Sequence, residues 1–400
     1  MTHIPTIHVP AIGGQHQFAH FLPVAFELAE SHGCRVLVFT PSHGDAHNIA
    51  VLAESLGRPV PDMVIMKLPR RTKAMVPDAA RKLAMLLTYA SRIRDCDAIL
   101  CAERTSTILK RLPGRCPPLF HIPHGAGDRA VGFENRFEFF DKVFVSGAKD
   151  RDRLLVQGCV APEDCVVGGS VKLGTIMQLG LGRPPLFAND RPVILYNPHF
   201  DRRMGTGETM ARRLVETVCA GGKYNLVIAP HVRMARGWND RRKARWLALE
   251  VQDRVIVDLG SDRSSDMSYT LAADLYVGDV SSQVYEYLVR PRPCLFVNGH
   301  GADWRDNPDY AMWRFGTVIE PGDDLPRAIE RAFESWPFFR EAQRQRTMAA
   351  FDGIDWDASG EIRMDGPDPA ARIAEIIAQD LRRGDGMPVS DPAAFSSAFR

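Results

Sequence analysis

His124 is the first residue whose type and surroundings could support chemistry. It lies in the segment PHGAGDR, beside two glycines and close to Arg129. Imidazole titrates near neutral pH, and the neighbouring glycines let the backbone approach a substrate closely. His124 could therefore act as a general base toward a hydroxyl group. A histidine that only satisfies hydrogen bonds at the end of a strand is the alternative.

The segment GDVSSQVYEY could bind phosphate. Asp279 ends an apolar run, and Ser281 and Ser282 then open a predicted helix whose free N–H groups and positive dipole end favour an anion. Glu286 lies one turn further along and could accept hydrogen bonds from ribose hydroxyls. An ordinary helix N-cap explains the same residues equally well.

Cationic side chains follow two other apolar runs. His231 and Arg233 follow YNLVIAP, and Arg202 and Arg203 follow VILYNP. Ligands of open α/β sheets bind beyond the carboxyl ends of the strands, so these residues should share an edge with the serine segment. An exposed loop is the alternative. The basic run ARGWNDRRKARW predicts an exposed helix face, with contact to anionic lipid as its alternative.

The N-terminal segment VPAIGGQHQF places Gly13 and Gly14 before a helix predicted to begin near Gln15. Backbone N–H groups there could approach a phosphate or an acceptor, and a tight strand-to-helix turn is the alternative. The segment lacks the GxGxxG spacing, and no acidic residue closes the next strand. These features argue against a nicotinamide dinucleotide site, and we expect no cofactor.

Two histidine pairs have the spacing of metal ligands on a helix. His16 pairs with His20 in this way, and His43 pairs with His47. Neither pair has the glutamate of an HExxH motif or a clear third ligand. We therefore predict surface or capping roles and no metal site.

The elements that position these residues alternate between short apolar runs and helical patterns, which is typical of parallel sheets flanked by helices. Residues 174–191 interrupt the alternation with Gly and Pro, and a second series then begins. A terminal helix is predicted with Asp368 as its N-cap and Gly384 at its end. We thus predict two doubly wound Rossmann-like domains that face a central cleft. The predicted ranges are an acceptor-side domain at 1–173, a linker at 174–191, a nucleotide-donor domain at 192–383 and a flexible tail at 384–400.

Composition excludes several classes of protein. The 400 residues carry 50 Lys plus Arg and 49 Asp plus Glu, so no strong net charge favours nucleic acid or an anionic membrane. The eight cysteines form no CxxC pair or dense framework. No signal peptide or stretch of about 18 apolar residues is present. We expect a cytoplasmic protein, and contact with the inner face of the cell membrane stays open.

The series ILYNPHFDRR, LVIAPHVRM and the segment from RVIVDLGSD to PCLFVN resembles the CDP-glycerol glycerophosphotransferase family, which makes teichoic-acid-like and capsular polymers. PHGAGDR resembles the histidine–glycine motif of that family's first half. The resemblance covers residues 192–316 and, in the first half, that motif alone. It implies a GT-B glycosyltransferase-like fold, in which two Rossmann-like domains close on a nucleotide donor.

The resemblance also implies roles for particular residues. His124 would be the general base, and His231 would contact the donor pyrophosphate and steady the leaving nucleotide. Ser281 and Ser282 would hold phosphate in a loop ordered by Asp279. The donor-binding residues that follow from this are Asp279, Ser281, Ser282, Glu286 at the ribose, Arg233 and Arg314. The N-terminal loop resembles that of sugar-transferring GT-B enzymes, so Gly13, Gly14 and His16 would face the acceptor.

The sequence departs from the family pattern at four places. Val280 stands where the family has an aromatic residue, and Pro123 replaces a tryptophan. The segment from Asn197 to Asp201 replaces an Ala-Pro-Thr-Trp-Arg type strand end, and Phe315 interrupts the expected arginine–glycine pair after Arg314. These changes bear on the identity of the donor.

The predicted function is transfer of glycerol phosphate or a related group from a CDP-linked donor to an acceptor hydroxyl, in the synthesis of cell-envelope polysaccharide. The acceptor would be a polymer, a glycan or a lipid-linked molecule. Two other enzymes with this fold stay open, a nucleotide-sugar glycosyltransferase and a non-hydrolysing nucleotide-sugar 2-epimerase. A non-catalytic nucleotide-binding or partner-docking protein is a third alternative.

Overall fold

The computed structural model describes residues 3–69, 75–77, 80–129, 133–180, 185–201, 203–231, 233–235 and 237–384. The predicted tail at 384–400 lies outside the described residues except for its first position, as do Arg202 and Arg236. No helix within the described ranges is long and apolar enough to cross a bilayer.

The first half forms a parallel sheet of seven strands in the order β3-β2-β1-β4-β5-β6-β7. Short apolar runs form these strands because both faces of the sheet are covered by helices, so side chains of both faces are buried. All four residues of β4 are buried, for example. The strands are β1 (Thr6–Pro10), β2 (Arg35–Thr40), β3 (Asp62–Ile65), β4 (Ala98–Cys101), β5 (Leu119–His121), β6 (Lys142–Val145) and β7 (Cys165–Val167).

The second half forms a parallel sheet of six strands in the order β10-β9-β8-β11-β12-β13. The strand order reverses beside the first strand in both sheets, which is the doubly wound arrangement. A small antiparallel hairpin follows in the chain. The strands are β8 (Val193–Asn197), β9 (Asn225–Ile228), β10 (Val255–Val257), β11 (Leu275–Gly278), β12 (Cys294–Val297), β13 (Thr317–Ile319) and, in the hairpin, β14 (Ile354–Trp356) and β15 (Ile362–Met364).

Helices cover both sheets, and several begin at the caps that their sequences suggest. Ser42 accepts a hydrogen bond from the Asp45 N–H at the start of α2, and Asp324 does the same for Arg327 at the start of α10. The helices are α1 (Phe18–Ser31), α2 (His43–Ser55), α3 (Arg81–Ile93), α4 (Ala148–Val156), α5 (Val171–Gln178), α6 (Gly207–Gly221), α7 (Asp240–Leu247), α8 (Ser268–Ala272), α9 (Gln283–Leu288), α10 (Leu325–Ala350) and α11 (Pro369–Gly384).

The terminal helix α11 returns to the first half of the molecule. Asp368 caps it as predicted, accepting from the Ala371 N–H at 3.1 Å. Its apolar face, which includes Ile373 and Ile377, is buried in the same core as Phe21 of α1. Its position in the chain predicts that this helix belongs to the second domain. The helix packs against the first half instead, because the apolar surface that complements its own lies on α1.

The predicted linker begins inside a helix. Gly174, interpreted as a break in the pattern, lies in α5, which packs against α1. A Cβ atom at Gly174 would lie 3.0 Å from Asp368 Oδ1 and 3.1 Å from Pro369 Cδ. The glycine therefore leaves room for the start of α11. The boundaries predicted for the two domains remain a prediction.

Candidate functional site

A cleft of about 440 Å³ lies between the two sheets. Its walls come from residues that follow strands β1, β4, β5, β6 and β7 in the first half and β8, β9, β10 and β11 in the second. The carboxyl ends of both parallel sheets thus face the same space, which is where ligands of open α/β sheets bind.

His124 lines this cleft in the loop after β5. Its Nδ1 lies 3.1 Å from the carbonyl oxygen of Ala102, which can only accept, so Nδ1 carries the proton. Burial lowers the pKa of His124 below 6.5, and the ring is therefore neutral at pH 7. Nε2 is left with a free lone pair, as a general base requires.

A charged group lies behind His124 in the first half. Glu103 bonds to Lys82 at 2.6 Å and to Gln17 at 2.9 Å. Its negative charge opposes the lowering of the His124 pKa. His16 lines the cleft with its ring 6.3 Å from that of His124, and burial lowers its pKa to about 3.

Gly13 and Gly14, predicted to face the acceptor, lie outside the residues that line the cleft. They precede the short 3-10 helix Gln15–Gln17, and neither lines the cleft. His16 and His20 both line it, but no group of three His, Cys, Asp or Glu side chains among the described residues is arranged to hold a metal ion.

His231 and His199 occupy equivalent positions in the second half, each after a proline at the end of a strand. Nδ1 of His231 accepts from the Arg233 N–H, and Nδ1 of His199 accepts from the Asp201 N–H, both at 3.2 Å. Burial lowers the pKa to about 3 for His231 and about 4 for His199. Both rings are neutral at pH 7. His231, whose Nδ1 accepts from the backbone, carries its proton on Nε2.

An arginine of the first half meets this pair. Arg129 Nη1 lies 3.3 Å from His199 Nε2. Guanidinium nitrogens can only donate, so this hydrogen bond requires an unprotonated Nε2, whereas the Asp201 contact requires an unprotonated Nδ1. The two contacts correspond to opposite tautomers of His199. Arg233 stacks over Phe200 at 4.5 Å, and the Phe200 ring centre is 5.1 Å from that of His231. An anionic oxygen placed among these groups would satisfy the donors.

The two serines that follow β11 differ in their exposure to the cleft. Ser281 is fully buried, whereas Ser282 lines the cleft. Helix α9 that follows has only six residues, so its dipole contributes little beyond its first turn. A Cβ atom at Gly127 would lie 2.9 Å from Ser282 Cβ, so the glycine permits close approach of the His124 loop to this segment.

Asp279 is buried and orders the loops around it. Its carboxylate accepts from the backbone N–H groups of His199, Thr206 and Val280 at 2.9, 3.0 and 2.7 Å. It thereby connects the ends of β8 and β11. Burial outweighs these hydrogen bonds and raises the pKa of Asp279 to about 6.

The raised pKa predicts a pH-dependent stability. In the unfolded chain an aspartate titrates near pH 4, whereas folded Asp279 titrates near pH 6. Protonation of Asp279 therefore stabilises the folded state. This stabilisation is complete below about pH 4 and is lost as the pH rises through 6. Asp279→Asn removes the titration. The free energy of unfolding of wild type relative to the variant should fall by roughly 2 kcal/mol between pH 4.5 and 7.5 in urea titrations. A constant difference would contradict the assignment.

Glu286 lines the cleft and is paired across it. Lys172 Nζ lies 2.6 Å from Glu286 Oε1, while Oε2 is buried without a hydrogen-bond partner. Arg314 does not line the cleft. It is exposed in the 3-10 helix Pro308–Phe315 and donates to the Arg305 carbonyl. The prediction for Arg314 differs from the structure because residue spacing does not fix which side of that helix faces the site.

The cleft therefore brings together most of the predicted residues and also contains residues for which the sequence predicts no role. His124, His231, Arg233, Ser282, Glu286 and His16 line it, and Asp279 supports it from behind. Among the residues without a predicted role are His199, Arg129 and Lys172. His199 could have been found from the Pro-His pair that both strand ends share, whereas Lys172 has no local signal. The basic run is exposed on α7, at Arg241, Lys243 and Arg245.

Comparison with known proteins gives fold relatives only. No family model matches the chain, and no curated protein matches it. A candidate UDP-N-acetylglucosamine 2-epimerase from Listeria monocytogenes superposes with a TM-score of 0.61 at 14% identity, over 98% of this chain and 99% of that one. The UDP-GlcNAc 2-epimerase from Neisseria meningitidis, bound to UDP-GlcNAc, gives 0.55 at 12% identity, over 94% and 100%.

The wall teichoic acid polymerase TagF is similar to a comparable extent. It gives a TM-score of 0.58 at 11% identity, over 94% of this chain and 90% of that one. These likenesses, together with the two parallel sheets, confirm the predicted fold class. The chain has the GT-B fold.

Proposed function

We propose that this protein is a transferase that moves glycerol phosphate or a related group from a CDP-linked donor to an acceptor hydroxyl. The observation that carries the proposal is a pair of opposite histidine tautomers across one cleft. His124 offers a free Nε2 lone pair from the first half, while His231 offers an Nε2–H donor from the second. A base thus faces a set of anion-binding donors.

This arrangement suits transfer to a hydroxyl. The acceptor hydroxyl gives its proton to His124 Nε2 while its oxygen attacks the donor. With CDP-glycerol, a new P–O bond forms to the glycerol-bearing phosphorus, the bond to CMP breaks, and CMP leaves. His231, Arg129 and Arg233 can stabilise the charge on the leaving phosphate, because their donors are already oriented before the reaction.

A nucleotide-sugar glycosyltransferase would use the same groups, with attack at the anomeric carbon and a nucleoside diphosphate leaving. A 2-epimerase would need acid and base groups beside the sugar ring. The carboxylate that the first half contributes to the described cleft wall is Asp150, and it is bonded to Lys149.

A ligand panel tests the proposal. The purified protein is heated with CDP-glycerol, CDP, CMP, UDP, GDP, UDP-GlcNAc and UDP-glucose, because a ligand that binds only the folded state raises its apparent melting temperature. We expect stabilisation by the cytidine ligands, equivalent to about 2.7 kcal/mol at 100 times the Kd. CMP release from CDP-glycerol should then increase when acceptors are supplied.

Other outcomes would contradict parts of the proposal. A shift with uridine or guanosine ligands alone would favour a sugar transferase, and conversion of UDP-GlcNAc to its C2 epimer would favour an epimerase. No shift with any nucleotide would overturn the enzyme assignment in favour of a partner-docking protein.

A further inference from the structure

A further cavity, of about 420 Å³, lies in the second half of the molecule. It is bounded by the loop after β12, the 3-10 helix Pro308–Phe315, the start of β13 and one face of α10. None of its described lining residues also lines the cleft. The proposed reaction therefore makes no use of this cavity.

Two arginines of this cavity have no acidic partner among the described residues. Arg331 of α10 is exposed, and Glu334, one turn further along the helix, lies 3.5 Å from Arg327 instead. Arg314 is also exposed, and it uses one of its donors on the Arg305 carbonyl. The described lining residues include no Asp or Glu. The cavity thus offers guanidinium donors without a counter-charge, which favours an anion.

Aromatic side chains form the apolar part of the same wall. Trp304 and Phe339 are half-buried and line the cavity. The Trp304 ring packs edge-on against that of buried Trp313, with 6.1 Å between the ring centres, and this contact orients the indole. The hydroxyl groups of Thr317 and Ser335 also line the cavity, 3.2 Å from each other. Each hydroxyl can still donate or accept a further hydrogen bond.

A phosphorylated sugar matches this combination of groups. The C–H faces of a sugar ring are apolar and can pack on indole and phenyl rings, while the hydroxyls of the sugar can bond to the serine and threonine. The phosphate can form charge-assisted hydrogen bonds with the guanidinium groups. A neutral sugar would leave the arginines without a counter-charge, and inorganic phosphate would leave the aromatic rings uncovered.

We propose that this cavity is a binding site for a phosphorylated sugar, separate from the cleft. The inference goes beyond the proposed function, because it needs none of the cleft residues. A buried contact joins the two regions, since Trp313 Nε1 donates to the Asp279 carbonyl at 2.7 Å. The same groups would recognise a free sugar phosphate and a sugar phosphate unit of a phosphodiester chain, so the test includes both.

Fluorine NMR of protein labelled with fluorotryptophan tests the site, because Trp304 lies in it. The chain has six tryptophans, and the Trp304→Phe variant assigns the resonance. Titration with glucose 1-phosphate should shift this resonance with a Kd of about 0.1–1 mM, as expected for a ligand of this size. The methyl phosphodiester of the same sugar represents a chain unit. Glucose and inorganic phosphate should each bind at least about tenfold more weakly.

Arg331→Gln should weaken the binding of glucose 1-phosphate by about tenfold, because the phosphate loses charge-assisted hydrogen bonds. The matched control is Arg340→Gln. Arg340 is exposed on the same helix and stacks over Trp336 at 5.5 Å, but it does not line the cavity. The Kd of this control should equal that of wild type.

Tighter binding of the monoester would identify a free sugar phosphate as the ligand, and equal or tighter binding of the diester would identify a chain unit. No saturable shift with either ester would overturn the site, as would equal affinity for glucose or for inorganic phosphate, or an unchanged Kd in Arg331→Gln. CDP affinity should be the same in Arg331→Gln as in wild type. Failure of CDP to bind would therefore contradict the proposed function and leave this site standing.

Discussion

Replacing His124 with alanine is expected to lower kcat by roughly 10²- to 10⁴-fold, the range that general bases contribute. The loss follows because Nε2 is the free basic nitrogen that His124 presents once Nδ1 is held by the Ala102 carbonyl. Nucleotide affinity should change by less than about threefold, since the groups proposed to bind the donor lie on the opposite wall. Turnover of CDP-glycerol and calorimetric binding of CDP measure the two quantities.

A second variant separates catalysis from structure. His124→Asn keeps an N–H that can bond to the Ala102 carbonyl but has no basic nitrogen, so it should lose as much turnover as alanine. Because burial puts the pKa of His124 below 6.5, wild-type kcat/KM should fall with acid only below that pH, and this limb should vanish in both variants. Turnover within about threefold of wild type in His124→Asn would exclude the base assignment.

Exposed histidines provide the control for this experiment. His47 lies on the surface of α2, outside the cleft. His47→Asn should leave both kcat and its pH dependence unchanged. A matching loss in this variant would mean that the effect of His124 replacement reflects general damage to the protein.

The fold was predictable because its local patterns and its long-range order agree. Alternating apolar runs and helical periods indicated parallel sheets, and the rule that ligands lie beyond strand ends located His124, His231, Ser282 and Glu286 at one cleft. Each of these residues follows a strand that the sequence reveals by its own composition.

The features that the sequence did not predict depend on contacts between residues that are distant in the chain. Lys172 and Glu286 are 114 positions apart in the sequence, and no local sequence pattern predicts their ion pair. The terminal helix packs on α1 because of apolar surface at the opposite end of the chain. The prediction that Arg314 binds the donor depends on a sequence motif alone, and that motif does not specify the orientation of the 3-10 helix that carries Arg314.

The loop that carries His124 is fixed by a buried charge cluster. Asp128 accepts from the Tyr285 hydroxyl at 2.5 Å and from Arg346 Nη2 at 2.7 Å, and Lys149 Nζ lies 3.5 Å away. Lys149 also donates to the Ala126 carbonyl at 2.8 Å. Asp128 and Lys149 belong to the first half, whereas Tyr285 and Arg346 lie on α9 and α10. The cluster therefore sets the position of His124 relative to the wall that carries His199 and His231.

Asp128→Ala is expected to lower the free energy of unfolding by about 3–5 kcal/mol, because Arg346 then loses its buried counter-charge and the Tyr285 hydroxyl loses its acceptor, while Lys149 keeps its pair with Asp150. Asp128→Asn keeps the shape of the side chain but not its charge, so it should lose a large part of the same stability. Glu208→Ala, at the surface pair with Arg212, serves as the control and should cost less than about 1 kcal/mol. Urea unfolding measures all three. If Asp128→Ala matched Glu208→Ala, the cluster would not be what holds the His124 loop against the second half.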